Sequence, residues 1–224
     1  MSSDAGPNTK EFGRTFDTVS VVMLYDATQA IKVGIGPEDI DALEEKMGGP
    51  VRANQALDAA LSLSVPRYQL ELAALPGRFE VKSQSPDFSR EIAKRMVTFL
   101  TLVAGQLGIS PWRSIGHNFI VSLNSPREPA VKYIGRKLLK QGLSRKLSQE
   151  VIGGSADLWM EVDESTLLLR FHPTRSSITT RRFSANANFS VSIPDQDSPT
   201  ESTTVDRMVK YCRRLDSILK GLDL

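Results

Sequence analysis

The chain has 224 residues, 40% of them hydrophobic and 24% charged, with a formal net charge of +2. That length accommodates one large domain or two small intimate ones with a real core, and the composition excludes a disordered chain. The near balance of charge argues against a dedicated polyanion binder, so any basic footprint must be local. A single cysteine, Cys212, excludes an intramolecular disulfide and with it a secreted, disulfide-stapled scaffold. The opening "MSSDAGPNTKEFG" has no apolar signal-peptide core, and no apolar run approaches the roughly 20 residues that span a bilayer. A cytoplasmic, reducing setting without a membrane partner is therefore expected.

In chain order, residues 1–14 read as a flexible tail of small polar residues and turn formers, followed by an α+β region over 15–224. "TVSVVMLYDA" (18–27) is β-branched and almost continuously apolar, the pattern of a buried strand. "GIGPEDIDALEEKMGG" predicts a helix with Pro37 in its first turn, Glu38 and Asp39 at its positive end and Gly48-Gly49 as its stop. "ANQALDAALSL" reads as a second short helix. "RYQLELAALPGRFEVKSQS" (67–85) predicts a hairpin turning at Pro76-Gly77.

The clearest helix comes next. Ser85 is placed as its N-cap and Pro86 at its first position, with Ile92, Met96, Phe99, Val103 and Leu107 at helical spacing and Gly108 and Pro111 ending it. A strand is expected over 114–124, then a helical stretch "SPREPAVKYIGRKLLKQGLSRKLSQE" broken near Gly142. A second hairpin, "ADLWMEVDESTLLLRFH", turns around Asp163-Glu164-Ser165. A strand over 181–193, a polar linker "PDQDSPTESTT" and a helix over 203–221 complete the chain.

Two strands echo one another: "HNFIVSL" (117–123) and "ANFSVSI" (187–193) share Asn118/Asn188, Phe119/Phe189, Val121/Val191 and Ser122/Ser192. Both alternate cleanly, with Phe183, Ala185, Ala187, Phe189, Val191 and Ile193 on one face and Arg182, Ser184, Asn186, Asn188, Ser190 and Ser192 on the other. "VKYIGRKL" and "VKYCRRLD" follow them. The expectation is an antiparallel sheet packed against helices, with the order hairpin, strand, helix occurring twice, in candidate halves 15–150 and 151–224.

The catalytic inventory is thin. His117 lies in the apolar register of its strand and reads as a hydrogen-bonded core histidine; His172 reads as a rim residue. Cys212 falls in the stripe Val205, Met208, Cys212, Leu215, Leu219 and is expected to pack rather than react. No zinc-ligand spacing is present, and "VGIGPED" lacks the third glycine or the Lys-Ser of a phosphate loop. Asp157, Glu161 and Asp163 line one strand face, where convergent carboxylates would hold Mg²⁺ for a metal-dependent hydrolase; a solvated strand face explains the same pattern.

The stronger clue is basic. Arg127, Lys132, Arg136, Lys137, Lys140, Arg145 and Lys146 stand against one acid, Glu128, with Lys132, Arg136 and Lys140 four apart on one helix stripe. Arg175, Arg181 and Arg182 sit among hydroxyls, and Lys210, Arg213 and Arg214 give the last helix a basic outer face. Aromatics for base stacking are scarce there, Tyr133 being the candidate. The leading expectation is thus a non-catalytic binding or assembly protein, without cofactor, that forms a homo-oligomer or joins a larger complex. Nucleic-acid binding through 127–146 and 175–182 is the alternative.

Overall fold

The computed structural model describes residues 16–28, 35–54, 61–85, 88–110, 112–137, 155–194 and 199–224. The expected N-terminal tail and the continuation of the basic segment, with Lys140, Arg145 and Lys146, lie outside them.

β1 (Thr18–Tyr25) turns Val19, Val21, Met23 and Tyr25 into the core, and even Ser20 and Val22 on its other face are nearly covered. The near-continuous apolar run thus marks a strand at the middle of a sheet. α1 (Pro37–Met47) begins and ends as its sequence predicts: Pro37 opens it, and Gly48 closes it with φ 67°, a left-handed conformation that costs glycine least. Its buried face is Leu43 and Met47.

The expected second helix is corrected at its two ends, while its middle, 55–60, lies outside the described residues. Residues 52–54 form β2 (Arg52–Asn54) and 61–65 form β3 (Leu61–Val65), paired antiparallel. Alanine and leucine favour helix in isolation, but Leu63 and Val65 are fully buried against the core, and tertiary pairing overrides a weak propensity. The hairpin of β4 (Leu70–Leu75) and β5 (Arg78–Ser83) turns at Pro76-Gly77 as expected, Gly77 having φ 73°. α2 (Arg90–Gln106) starts later than the sequence suggests. Its N-cap is Ser89, whose Oγ accepts the Ile92 amide at 3.3 Å, rather than Ser85.

β6 (Trp112–Asn124) is followed by α3 (Ala130–Lys137), the hairpin of β7 (Ala156–Val162) and β8 (Ser165–His172), β9 (Arg182–Ser192) and α4 (Glu201–Gly221). Thr200 caps α4, accepting the Thr203 amide, so the helix begins two residues earlier than the sequence suggests.

All nine described strands join one antiparallel sheet in the order β2-β3-β4-β5-β1-β6-β9-β8-β7. The architecture is therefore the α+β sheet-and-helix fold expected, and the segments 15–150 and 151–224 share this one sheet, the first supplying β2-β3-β4-β5-β1-β6 and the second β9-β8-β7. The two echo strands are neighbours, paired from Ser114↔Ser192 to Asn124↔Arg182. In the first segment α2 stands between the hairpin β4-β5 and β6, whereas in the second β9 follows the hairpin β7-β8 with only a short 3₁₀ turn between them.

α2 and α4 run antiparallel to each other on one face of the sheet, tied by Arg90 to Asp206 and by Thr98 to Glu201. Between helices and sheet lies a chain of rings: Phe16 on Phe119 (5.6 Å), Phe119 edge-on to Phe189 (5.9 Å), and Phe189 stacked on Tyr211 (4.4 Å, 7° between planes). Burying side chains of this size is the main favourable term, about 25 cal/mol per Å² of apolar surface.

Candidate binding face

The opposite face of the sheet carries no described helix, and its composition follows from the alternation of the strands. Cross-strand register aligns Lys82, Ser20, Asn118, Asn188, Leu168 and Trp159 in one row across β5, β1, β6, β9, β8 and β7. The adjacent row is Glu80, Val22, Gly116, Ser190, Thr166 and Glu161. The middle of the face forms a trough of about 550 Å³. Asn118 donates to Ser20 Oγ at 3.2 Å, while Asn188 and Ser190 are exposed. Gly116 keeps the floor low, since a Cβ there would stand 3.5 Å from Asn188 Oδ1.

Charges flank this neutral centre in pairs. Lys82 meets Glu71 at 2.7 Å, Arg78 meets Glu80 at 2.7 Å, and Arg170 meets Asp157 at 3.1 Å. At one end of the row Trp159 is 69% exposed beside half-buried Leu168. A large aromatic left this open is the informative exception on a polar surface.

The expected basic site is partly gathered. Arg127, Arg136 and Lys137 border a groove of about 410 Å³ with Tyr133 and Asp223, and Lys132 is exposed on α3. Arg136 donates twice to Glu128 Oε1, at 2.9 and 2.6 Å, and Lys137 donates to Asp223 at 2.9 Å. That contact holds the Lys137 ammonium above its ordinary value and the Asp223 carboxyl below its own. Arg181 donates to the Pro126 carbonyl at 2.9 Å, whereas Arg182 lies on the helix-free face and reaches Ser122 Oγ at 3.4 Å. Arg175 opens a short 3₁₀ turn, Arg175–Ile178. The Tyr133 hydroxyl donates to the Leu222 carbonyl and its ring is buried, so it offers no stacking surface.

The acidic set does not converge. Asp157 and Glu161 are four strand positions apart, about 13 Å by strand rise. Asp163 occupies the β7–β8 turn with φ 54° and pairs with Lys210 and Arg214 instead. Among the described residues no group of three or more His, Cys, Asp or Glu could hold a metal ion.

The basic outer face expected for α4 is likewise redirected. Lys210 reaches Glu164 at 3.0 Å, Arg207 stands 3.5 Å from it, and the Tyr211 hydroxyl donates to Glu164 Oε1 at 3.3 Å. These contacts clamp the β7–β8 turn to α4; Arg213 stays exposed. His117 is fully buried, as its register implied, but neither ring nitrogen makes a well-formed hydrogen bond, the Thr204 backbone offering only a weak one. Its ring meets Tyr211 edge-on at 5.2 Å. Burial, and after it the Arg207 charge, lowers its pKa to about 3. Cys212 is fully buried in the α4 stripe, and His172 is exposed at the end of β8.

Alternation within β6 and β9 exposed the polar character of this face in the sequence. The contribution of Ser20, Leu168 and Trp159 was missed, because only cross-strand register brings them into line. No described helix is long and apolar enough to cross a membrane. No protein-family model matches the chain, and no curated protein shows significant similarity to it.

Proposed function

We propose that this chain is a non-catalytic recognition protein that takes its ligand or partner on the helix-free face of the sheet. The observation that carries the reading is the row Asn118, Asn188 ending at the open Trp159 ring, with the covered Ser20 hydroxyl bracing Asn118 behind it: hydrogen-bonding groups and an apolar anchor, arrayed on rigid strands. Rigid strands present such groups with little ordering cost on binding. A reducing, cytoplasmic setting belongs to this reading, with Cys212 kept as a buried thiol. So does self-association, for which the outermost described strands, β2 and β7, are the places where a sheet extends, and a mass above 24.7 kDa in light scattering is its signature.

The test is site-specific cross-linking in the native host. A photoreactive residue at Ser190, within the trough, should form adducts, while one at exposed Lys94 on α2 should not. Adducts from Lys94 alone would place recognition on the helical side and end this reading.

A second reading, nucleic-acid binding, is favoured by the gathering of Arg127, Arg136 and Lys137 around one groove. Carboxylates already partner two of the three, so the groove offers less free positive charge than the sequence suggested. A gel shift at low salt that Arg127→Glu with Lys132→Glu abolishes would support it; no shift with DNA or RNA would remove it.

A further inference from the structure

Taking the helix-free face as the binding surface, we propose that its ligand is an uncharged glycan chain whose ring stacks on Trp159 and whose hydroxyls bond to Asn188, Ser190 and Asn118. This rests on the reading of that face given above.

The argument begins with charge. The cations lining the trough are met by carboxylates, Lys82 by Glu71 and Arg78 by Glu80. Beyond it Arg170 meets Asp157, and Arg182 reaches Ser122 Oγ, which in turn bonds to Asp17, so the trough itself offers little net field for a polyanion. Nor does it have the dry apolar centre of a protein–protein interface, because Val22, Leu24 and Ile120 in the trough are interspersed with Asn118, Asn186, Asn188 and Ser190. What the centre does supply is amide and hydroxyl groups, each able to donate and accept. A polyol matches that inventory, since every hydroxyl of a sugar is likewise donor and acceptor and carries no charge.

Trp159 supplies the complement. A pyranose ring has an apolar C–H face as well as its hydroxyl rim, and a broad indole is the side chain that covers such a face while leaving the rim free to hydrogen-bond. Trp159 is 69% exposed, with Leu168 beside it extending the apolar platform toward the trough. Strand spacing sets Trp159 about 10 Å from Asn188 and about 14 Å from Asn118, a span that calls for a chain of several sugar units rather than a monosaccharide.

The test is titration of the full chain with cellohexaose, maltohexaose and chitohexaose, read by calorimetry and by tryptophan emission, with heparin and poly(U) as anionic arms. At least one neutral hexasaccharide should bind with saturation. Trp159→Ala should weaken it by about tenfold or more, Trp159→Phe should retain most of the affinity, and Asn188→Ala should weaken it about fivefold. Both side chains are exposed, so circular dichroism should show the fold unchanged. Absence of binding by all three neutral chains up to millimolar concentration, affinity unchanged in Trp159→Ala, or binding confined to heparin or poly(U) would each overturn the proposal. If the Ser190 probe captures a protein while no hexasaccharide binds, the glycan assignment falls and the binding face stands. If Ser190 captures nothing as well, both fall.

Discussion

Asn118 and Asn188 face each other directly across β6 and β9. One residue further along each strand come Phe119 and Phe189, then Val121 and Val191, then Ser122 and Ser192. An antiparallel pair has a local two-fold at every facing pair of residues, and the one through these asparagines superposes the two matched heptapeptides. The likeness is therefore that of two neighbours around one axis, each showing amides to the open face and rings to the core. Phe119 and Phe189 become diagonal neighbours, edge-on at 5.9 Å.

This pair sets a core prediction. Phe119→Ala and Phe189→Ala should each lower unfolding stability by about 3–5 kcal/mol, Phe189 toward the upper end because it also loses its stack on Tyr211. Because the rings touch, the double variant should cost less than the sum of the singles, with a coupling of about 0.5–1.5 kcal/mol. Urea unfolding measures all three. Strict additivity, or a single cost below about 1 kcal/mol, would mean that these rings do not share one core.

Much of the fold was legible because its signals are local. Pro37 and Gly48 bound α1, Pro76-Gly77 turns a hairpin, and the alternation of β9 names its buried face. β2 and β3 were misread although "LSLSV" alternates, because the alanine-rich run before it favours helix and only pairing with β4 decides otherwise. The order of the sheet is non-local, and no pattern within β1 reveals that it lies between β5 and β6. The binding row is hidden for the same reason. The basic and acidic residues were visible as residue types, but their pairing across the fold, Asp163 with Arg214 or Lys137 with Asp223, was not.

His117 makes stability depend on pH with a definite sign. Its folded pKa is lowered to about 3 from 6.5, desolvation being the main cause. Above 6.5 the imidazole is neutral in both states and its burial carries no protonation cost. As pH falls below 6.5 the unfolded chain takes up a proton that the folded chain refuses, so stability drops by about 1.4 kcal/mol per pH unit toward pH 3. Carboxylates such as Glu164, whose ordinary value is 4.5, contribute only lower down. Urea midpoints compared at pH 7.5, 6 and 5 should therefore fall in the wild type and stay nearly level in His117→Phe. Equal slopes in the two proteins would assign the acid sensitivity elsewhere.

Glu164 is the hub of the turn-to-helix clamp, accepting from Lys210 and the Tyr211 hydroxyl with Arg207 close by. The Lys210 contact is the chief reason its carboxyl titrates below its ordinary range. Because the site is half in solvent, the ion pairs are screened, and Glu164→Gln should cost only about 0.5–1 kcal/mol. The loss should shrink in molar salt. A cost that is the same at low and high ionic strength would point to packing of the glutamate stem rather than to charge.

Cys212 gives the most direct readout of the α4 interface. The thiol is fully buried in the helix stripe that faces the sheet, so a thiolate cannot meet reagent until α4 lifts or the chain unfolds. Labelling with a chromogenic disulfide should be negligible in buffer and should rise along the urea unfolding curve. Glu164→Gln should speed labelling in buffer by about two- to fivefold if the turn helps hold α4 down, in line with the small free energy assigned to the clamp. Rapid stoichiometric labelling of the native wild type would place Cys212 on an open surface and refute the packing of α4 on which the buried histidine, the ring stack and the clamp all depend.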